Sequence, residues 1–230
     1  GVRMPATGVP LDPALIEVVA EWIRRGAPLG APADATSGGG ATAWQAALAA
    51  LGASYLNAAA TTRAQFDAGP VQIYSTSTGD ATNGFSVTNN TTTYAHMSFQ
   101  TDAQLKADGT PDNRYTAKIR TGLPSRQGPV TTDGSTSASS TLGFGIWPAQ
   151  TTPISILRNE ELILLRAEAK LGTGDKAGAI ADLNQVRVNS GGLPASTLTA
   201  ASSDDAVLTG ILYEKRYSTM MEGNRWVDMR

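Results

Sequence analysis

The sequence predicts a mostly helical fold built on helical hairpins, with long loops and little strand. Three observations carry that reading. Residues 156–171 form an apolar, helix-length run containing Leu162-Ile163-Leu164-Leu165. Gly172-Thr173-Gly174-Asp175 supplies a tight turn directly after it, and apolar residues then recur at helical spacing from Ala177 to Val186. Two such helices joined by about four residues face each other as a hairpin.

Along the chain, residues 11–25 predict a short helix. Asp12 is its N-cap, Pro13 its first residue, and Leu15, Val18, Val19, Trp22 and Ile23 its apolar stripe, with Gly26 as the stop. Residues 27–40 are rich in Ala, Pro and Gly and read as a linker, so a short N-terminal segment, 1–34, is set apart from a helical domain over 41–230. A second helix is expected over 42–59, carrying Trp44, Leu48, Leu51 and Tyr55. Val71, Ile73 and Tyr74 suggest a short strand, followed by a polar Thr/Asn-rich stretch over 75–93. A helical turn or two is expected over 100–109, closed by Asp108-Gly109, and a surface loop over 128–140. Apolar residues return among glycines over 143–148.

The helix over 156–171 is apolar on nearly every face, which predicts deep burial. Asp175 caps the next helix, whose apolar positions are Ala177, Ile180, Ala181, Leu183 and Val186, and 189–194 closes the hairpin. Ser202 or Ser203 caps a third helix carrying Leu208, Ile211, Leu212, Tyr217, Met220 and Met221, with Gly223 as its stop.

Composition narrows the chemistry. The chain has 230 residues, 18 basic against 20 acidic side chains, and a net charge of −2. A nucleic-acid binder would show a basic excess, so none is expected as a partner. No apolar run approaches the ~20 residues of a membrane-spanning helix. Cysteine is absent, which removes disulfides, thiolate nucleophiles and thiolate metal sites. With one histidine, His96, a His-rich metal site or a Ser-His-Asp triad is not expected, and no cofactor is expected either. The chain starts Gly1-Val2-Arg3 and ends on the amphipathic stretch Trp226-Val227-Asp228-Met229-Arg230, as a piece of a longer polypeptide would.

Several groups invite a chemical reading and are given a structural one. Glu160, Glu161 and Glu168 suggest the carboxylate pairs of glycoside hydrolases, which stand roughly 5 to 10 Å apart. Positions 161 and 168 would be ~10 Å apart on one helix. They flank an apolar segment, however, so ion pairing with Arg158, Arg166 or Arg225 is the expected role. Asn184 and Arg187 are placed on the face of Ala177, Ile180 and Ala181, tying the hairpin to 222–228. His96 reads as a hydrogen-bonded, partly buried residue. Asp108-Gly109-Thr110-Pro111-Asp112 reads as a turn, because it lacks the alternating acids of a calcium loop. Gly143-Phe144-Gly145 is no phosphate loop, since no Lys-Ser/Thr follows.

The hairpin with Gly-Asp at its turn resembles a tetratricopeptide unit. A sharper resemblance is to the SusD/RagB family of surface nutrient-binding lipoproteins. It is carried by Arg158-Asn159-Glu160-Glu161-Leu162 through Arg166-Ala167-Glu168-Ala169, by Gly174-Asp175 with Ala179 to Arg187, and by Glu214-Lys215-Arg216-Tyr217 with Glu222-Gly223-Asn224-Arg225-Trp226-Val227-Asp228. Asp112-Asn113-Arg114 is similar to an upstream motif, which extends the resemblance back to about residue 41. Ser218 departs from the pattern, where many members carry an acid. The resemblance implies a SusD-like helical scaffold in which Glu161, Glu168, Asn184, Arg187, Glu222, Arg225, Trp226 and Asp228 are structural. It also implies a non-catalytic protein at the outer membrane, on the cell surface, that delivers oligosaccharides or other nutrients to a TonB-dependent, SusC-like transporter docked on its helix faces.

Sugar rings stack on aromatic rings and their hydroxyls need polar side chains. Trp147, Phe144 and Tyr115, in or beside predicted loops, with Arg114 and Asn113 nearby, are therefore the candidate ligand contacts. The alternative function is a helical-repeat scaffold that binds another protein and no glycan. Residues 1–34 show a shorter resemblance to the tail of a c-type cytochrome domain, through Met4-Pro5 and Trp22-Ile23-Arg24-Arg25-Gly26-Ala27. Met4 would be the axial ligand there, but no Cys-x-x-Cys-His is present and no haem is expected.

Overall fold

A computed structural model of the chain describes residues 55–89, 93–125, 139–223 and 228. Nearly all of them belong to a compact unit that begins at Asn57. The predicted helix over 11–25, the linker, Met4, most of the helix over 42–59, most of the loop over 128–140, and Arg225 and Trp226 lie outside the described residues. Tyr55 is helical, but residues 56–60 have left the helix, short of its expected end at residue 59.

The described fold is mostly helical with little strand. Three short helices come first: α1 (Arg63–Phe66), α2 (Ser98–Thr101) and α3 (Asn113–Lys118). Three long ones follow: α4 (Asn159–Gly172), α5 (Lys176–Asn189) and α6 (Asp204–Ser218). Strand β1 (Val71–Gln72) pairs antiparallel with β5 (Ile154–Ser155), with Val71 opposite Ser155. In a second sheet, β4 (Leu142–Phe144) lies between β2 (Tyr94–Ala95) and β3 (Ile119–Arg120), antiparallel to both.

The capping chemistry read from the sequence operates where expected. Asp175 accepts a hydrogen bond from Gly178 N and starts α5, and Ser203 accepts one from Ala206 N and starts α6. The α4–α5 hairpin forms, and α6 packs on both of its helices. One face of α6, with Val207 and Ile211, packs into a core of Ala167, Ala179, Ile180 and Leu183. Its far end places Tyr217 in a second core, against the three-stranded sheet and α3, with Ala95, Tyr115, Ile119, Leu142 and Met220. A single helix thus joins the helical layer to the sheet.

Three sequence expectations are corrected here. The segment over 156–171 is not buried all round. Residues 154–155 are strand, the helix starts at Asn159, and its inward side is Glu160, Ile163, Leu164 and Ala167, while Leu165 is 42% exposed and Ile156 65% exposed. Only one face can meet α5 and α6, and Leu165 falls on the other. In α5 the buried face is Ala179, Ile180, Leu183 and Val186, whereas Ala177 and Ala181 are exposed. Finally, α6 ends at Ser218 rather than reaching Gly223, and Met221 follows with φ of 64°, a left-handed conformation that a methionine adopts at a cost of about 1 kcal/mol or more.

Candidate functional site

The chemistry of the described residues gathers where α3, the start of α4 and the end of α6 meet. Asp112 accepts a hydrogen bond from Arg114 N at 2.8 Å and so starts α3. Arg114 and Lys118 are four residues apart and therefore share a helix face. The Arg114 guanidinium donates to Asp112 Oδ2 at 2.6 Å, Glu214 Oε2 at 2.5 Å and Ser218 Oγ at 3.0 Å, all in the buried interior. Arg187 closes this set from α5, donating to Glu214 Oε1 at 3.0 Å.

One turn along α3, the Lys118 ammonium donates to Tyr217 O at 2.8 Å and to Ser218 O, the carbonyls that α6 leaves unpaired at its C-terminus. Arg158, at the N-cap of α4, donates through Nη2 to that same Ser218 O and to Glu222 Oε1 at 2.6 Å. Its Nη1 donates to Asp67 Oδ1 at 2.9 Å and Glu160 Oε2 at 3.0 Å. Arg158 Nε is buried and has no hydrogen-bond partner among the described residues. Glu160, fully buried, accepts from Arg63 at 2.6 Å and from the hydroxyls of Ser190 at 2.5 Å and Ser218 at 2.8 Å.

This network sets the charge states. Burial alone would raise the Glu160 carboxyl, but Lys118, Arg63, Arg158 and Arg114 around it hold it well below the usual carboxylate range. Burial, and after it the like charge of Arg158, pushes the Lys118 amine down to about 7, against the pull of Glu160 and Glu222. Burial raises the Glu222 carboxyl, with Arg158 and Lys118 opposing.

The network opens onto a cavity of about 440 Å³. Its lining includes Trp147, Asn113, Arg114, Lys118, Arg158 and Glu222. Asn113 is exposed at the mouth, its N donating to Gly191 O at 2.9 Å and its Oδ1 accepting from Lys106 Nζ at 2.9 Å. Gly192 must be glycine there: its φ is +68°, and a Cβ would come within 2.5 Å of Asn113 Nδ2.

Of the five candidate ligand contacts, Trp147, Arg114 and Asn113 line the cavity together. The other two do not lie in loops. Tyr115 is on α3, 4% exposed, and packs into the core beside Leu142 and Tyr217, because it faces away from the cavity side of that helix. Phe144 is in β4 and packs edge-on to Phe99 with ring centroids 6.1 Å apart. Trp147 itself is 6% exposed, with its ring 5.7 Å from that of Phe85.

The other residues that drew attention in the sequence act in packing. Glu168 pairs with Lys215 at 2.9 Å, and Lys215 also pairs with Asp228. Arg166 pairs with Asp182 at 2.6 Å. Asn184 Oδ1 accepts from Ser196 N at 2.8 Å, and Arg187 also donates to Pro194 O at 2.6 Å. Asn184 and Arg187 therefore tie α5 to 194–196, and Arg187 ties it to α6 as well; residues 224–227 of the segment they were expected to meet lie outside the described residues, and Arg158 makes the link to Glu222. Glu161 is half-buried, and the full burial falls on its neighbour Glu160. His96 is exposed rather than partly buried, its Nδ1 accepting from Ser98 N at 3.1 Å. Asp108 Oδ1 accepts from Thr110 N and Oγ1 at 2.9 and 2.6 Å, which makes 108–110 a turn. Lys118, Arg63, Asp67 and Ser190 belong to the site without standing out in the sequence; the spacing of Lys118 from Arg114 is the one local signal.

The model of the SusD family matches residues 54–230, so the match begins later than residue 41. No curated protein matches the chain at a significant level. A solved SusD superfamily protein from Bacteroides fragilis is 18% identical, with a TM-score of 0.53 over 98% of this chain and 55% of that one. A SusD superfamily protein from Bacteroides vulgatus is 20% identical, with a TM-score of 0.43 over 58% of this chain and 31% of its own. NanU of B. fragilis is 16% identical, with a TM-score of 0.44 over 84% and 51%. The chain spans about a third to a little over half of the length of these proteins, and at such identities the likeness is one of fold. The resemblance of residues 1–34 to a cytochrome tail finds no support among these matches.

Proposed function

The chain belongs to the SusD family, and from that premise we propose that it is part of a non-catalytic protein that captures oligosaccharides or other nutrients at the bacterial outer membrane. The parent protein sits at the cell surface and hands its ligand to a TonB-dependent, SusC-like transporter. Among the described residues no helix is long and apolar enough to cross a membrane. The observation that supports capture most directly is the cavity where Trp147, Asn113 and Arg114 converge, with Lys118 and Glu222 also in its lining. An aromatic residue, an amide and charged side chains in one cavity are the groups that a polyhydroxylated ligand needs.

The carboxylates favour binding over hydrolysis. Glu160 and Glu214 are buried and held by arginines, and Glu222, in the cavity lining, is paired with Arg158. Titration calorimetry against plant and microbial oligosaccharides tests the reading, with a micromolar to millimolar Kd expected, roughly −4 to −8 kcal/mol. Asn113→Ala should weaken binding without changing the melting temperature. If no sugar binds and a SusC-like transporter also fails to retain the protein, capture is wrong and the protein-binding scaffold takes its place.

A further inference from the structure

Residues 83–89 are fastened to the segment 147–152 by polar groups. Asn83, fully buried, donates from N to Gln150 O and from Nδ2 to Thr152 O, both at 2.8 Å, and its Oδ1 accepts from Phe85 N at 2.8 Å. Val87 N donates to Trp147 O at 2.8 Å, and Gln150 Nε2 donates to Asn89 Oδ1 at 2.5 Å. The Phe85 ring takes no part in these bonds, and the residue is 55% exposed. Its centroid lies 5.7 Å from that of Trp147, with the rings tilted by 41°, and Trp147 belongs to the cavity lining. An aromatic ring is thus presented to water from a fixed backbone, next to a residue of the cavity. The sequence around it is uncharged: neither 81–89 nor 147–153 contains an acid or a base. The exposed polar side chains of the loop are Thr82, Thr88 and Asn89.

We propose that Phe85 is an outer stacking platform for a neutral sugar unit, continuing the cavity past Trp147, so that the ligand is an oligosaccharide rather than a single sugar. The proposal rests on the capture reading and gives that ligand a length and a charge. The C–H face of a sugar ring covers the electron-rich face of an aromatic ring, and its hydroxyls exchange hydrogen bonds with amides and hydroxyls beside it. Phe85 supplies the ring, and Thr82, Thr88 and Asn89 supply the polar groups of the same loop. Because the backbone is already fastened, little further order has to be imposed when a ligand arrives. A protein partner calls for a wide apolar patch, whereas the exposed part of 81–89 is one large ring among small and polar residues. An ionic group on the ligand would meet no counter-charge from either segment.

The test is titration calorimetry of the whole chain, of Phe85→Leu and of Phe85→Tyr, with melting temperatures of all three. The probes are gluco-, xylo- and manno-oligosaccharides, each from monosaccharide to hexasaccharide. The unaltered chain should bind the hexasaccharide of its preferred series more tightly than the monosaccharide. Phe85→Leu keeps an apolar cover beside Trp147 but loses the aromatic face. It should weaken hexasaccharide binding about tenfold and leave the monosaccharide affinity and the melting temperature unchanged. Phe85→Tyr should keep the preference for length. Hexasaccharide binding indifferent to Phe85→Leu overturns the platform and leaves the capture reading standing. An equal loss for monosaccharide and hexasaccharide also overturns it, since the ring would then act through Trp147 alone. If no sugar binds the unaltered chain, capture and platform fall together. Retention of a protein partner that Phe85→Leu abolishes, with sugar binding unchanged, would make the ring a protein contact instead.

Discussion

Arg114 and Glu214 are 100 residues apart in sequence and meet at 2.5 Å, each side chain about 1% exposed. The pair fastens α3 to α6, and so fastens the sheet to the helical hairpin beneath it. Asp112 and Arg187 complete the set, which leaves two guanidinium groups facing two carboxylates out of water. Arg114→Met would strand Asp112 and part of Glu214 as buried charges without their partner. A loss of about 3–5 kcal/mol is expected. Urea denaturation should show this, with the Arg114→Met/Glu214→Leu double variant losing less than the sum of its singles.

Glu160 gives a stability that depends on acid pH. Its folded carboxyl lies below the ordinary value of 4.5. The unfolded chain therefore takes up a proton first as pH falls, and the contribution, full above about pH 5, is lost progressively below 4.5. Glu160→Gln should flatten the acid limb of the stability curve while lowering stability at pH 7.

Most of the helical layer was legible in the sequence, because its signals are local. Asp175 and Ser203 cap helices with their own side chains, and apolar spacing fixes the faces of α5 and α6 to within a residue or two. What could not be read is non-local. Phe144 is a loop residue by its glycine neighbours, and only its pairing opposite Ile119 makes it strand. Glu160 and Glu161 are indistinguishable in the sequence, and the hydroxyls of Ser190 and Ser218 decide which one is buried. The cavity is assembled from α1, α3, residues 146–155, the N-cap of α4, the end of α5 and the turn after α6, so no single stretch announces it.

Lys118 shifts in the same direction as Glu160, but its window lies at alkaline pH. An unfolded lysine titrates near 10.4, and the folded amine is down at about 7, so between these values the unfolded chain holds more protons. Stability therefore rises with pH from 7 towards 10, by at most about 1.4 kcal/mol per unit. Above about pH 10 the trend reverses, because burial pushes the Tyr217 hydroxyl up to about 12. Urea midpoints at pH 7, 8, 9 and 10 should show a maximum near 9 to 10, and Lys118→Met should remove the rise below it.

The two faces of α4 predict contrasting variants. Leu164 is fully buried, while its neighbour Leu165 is 42% exposed. Leu164→Asp leaves an unpaired carboxylate in an apolar interior and should cost several kcal/mol, enough to unfold the hairpin. Leu165→Asp should change stability by about 1 kcal/mol or less. Equal losses from the two would contradict the assigned face.

Trp147 separates packing from recognition. It is 6% exposed and stacks near Phe85, and its carbonyl accepts from Val87 N at 2.8 Å, so it anchors 83–89 as well as lining the cavity. Trp147→Ala should lose about 3–5 kcal/mol of stability as well as ligand affinity, because a buried indole leaves a void. Asn113, exposed at the mouth, has no such packing role. Thermal melts paired with calorimetry should therefore place the two variants apart: both lose affinity, and only Trp147→Ala melts lower. If Trp147→Ala lowers the melt and binds as before, the indole serves the core alone. The ligand would then be held by Asn113 and the other polar side chains of the cavity lining.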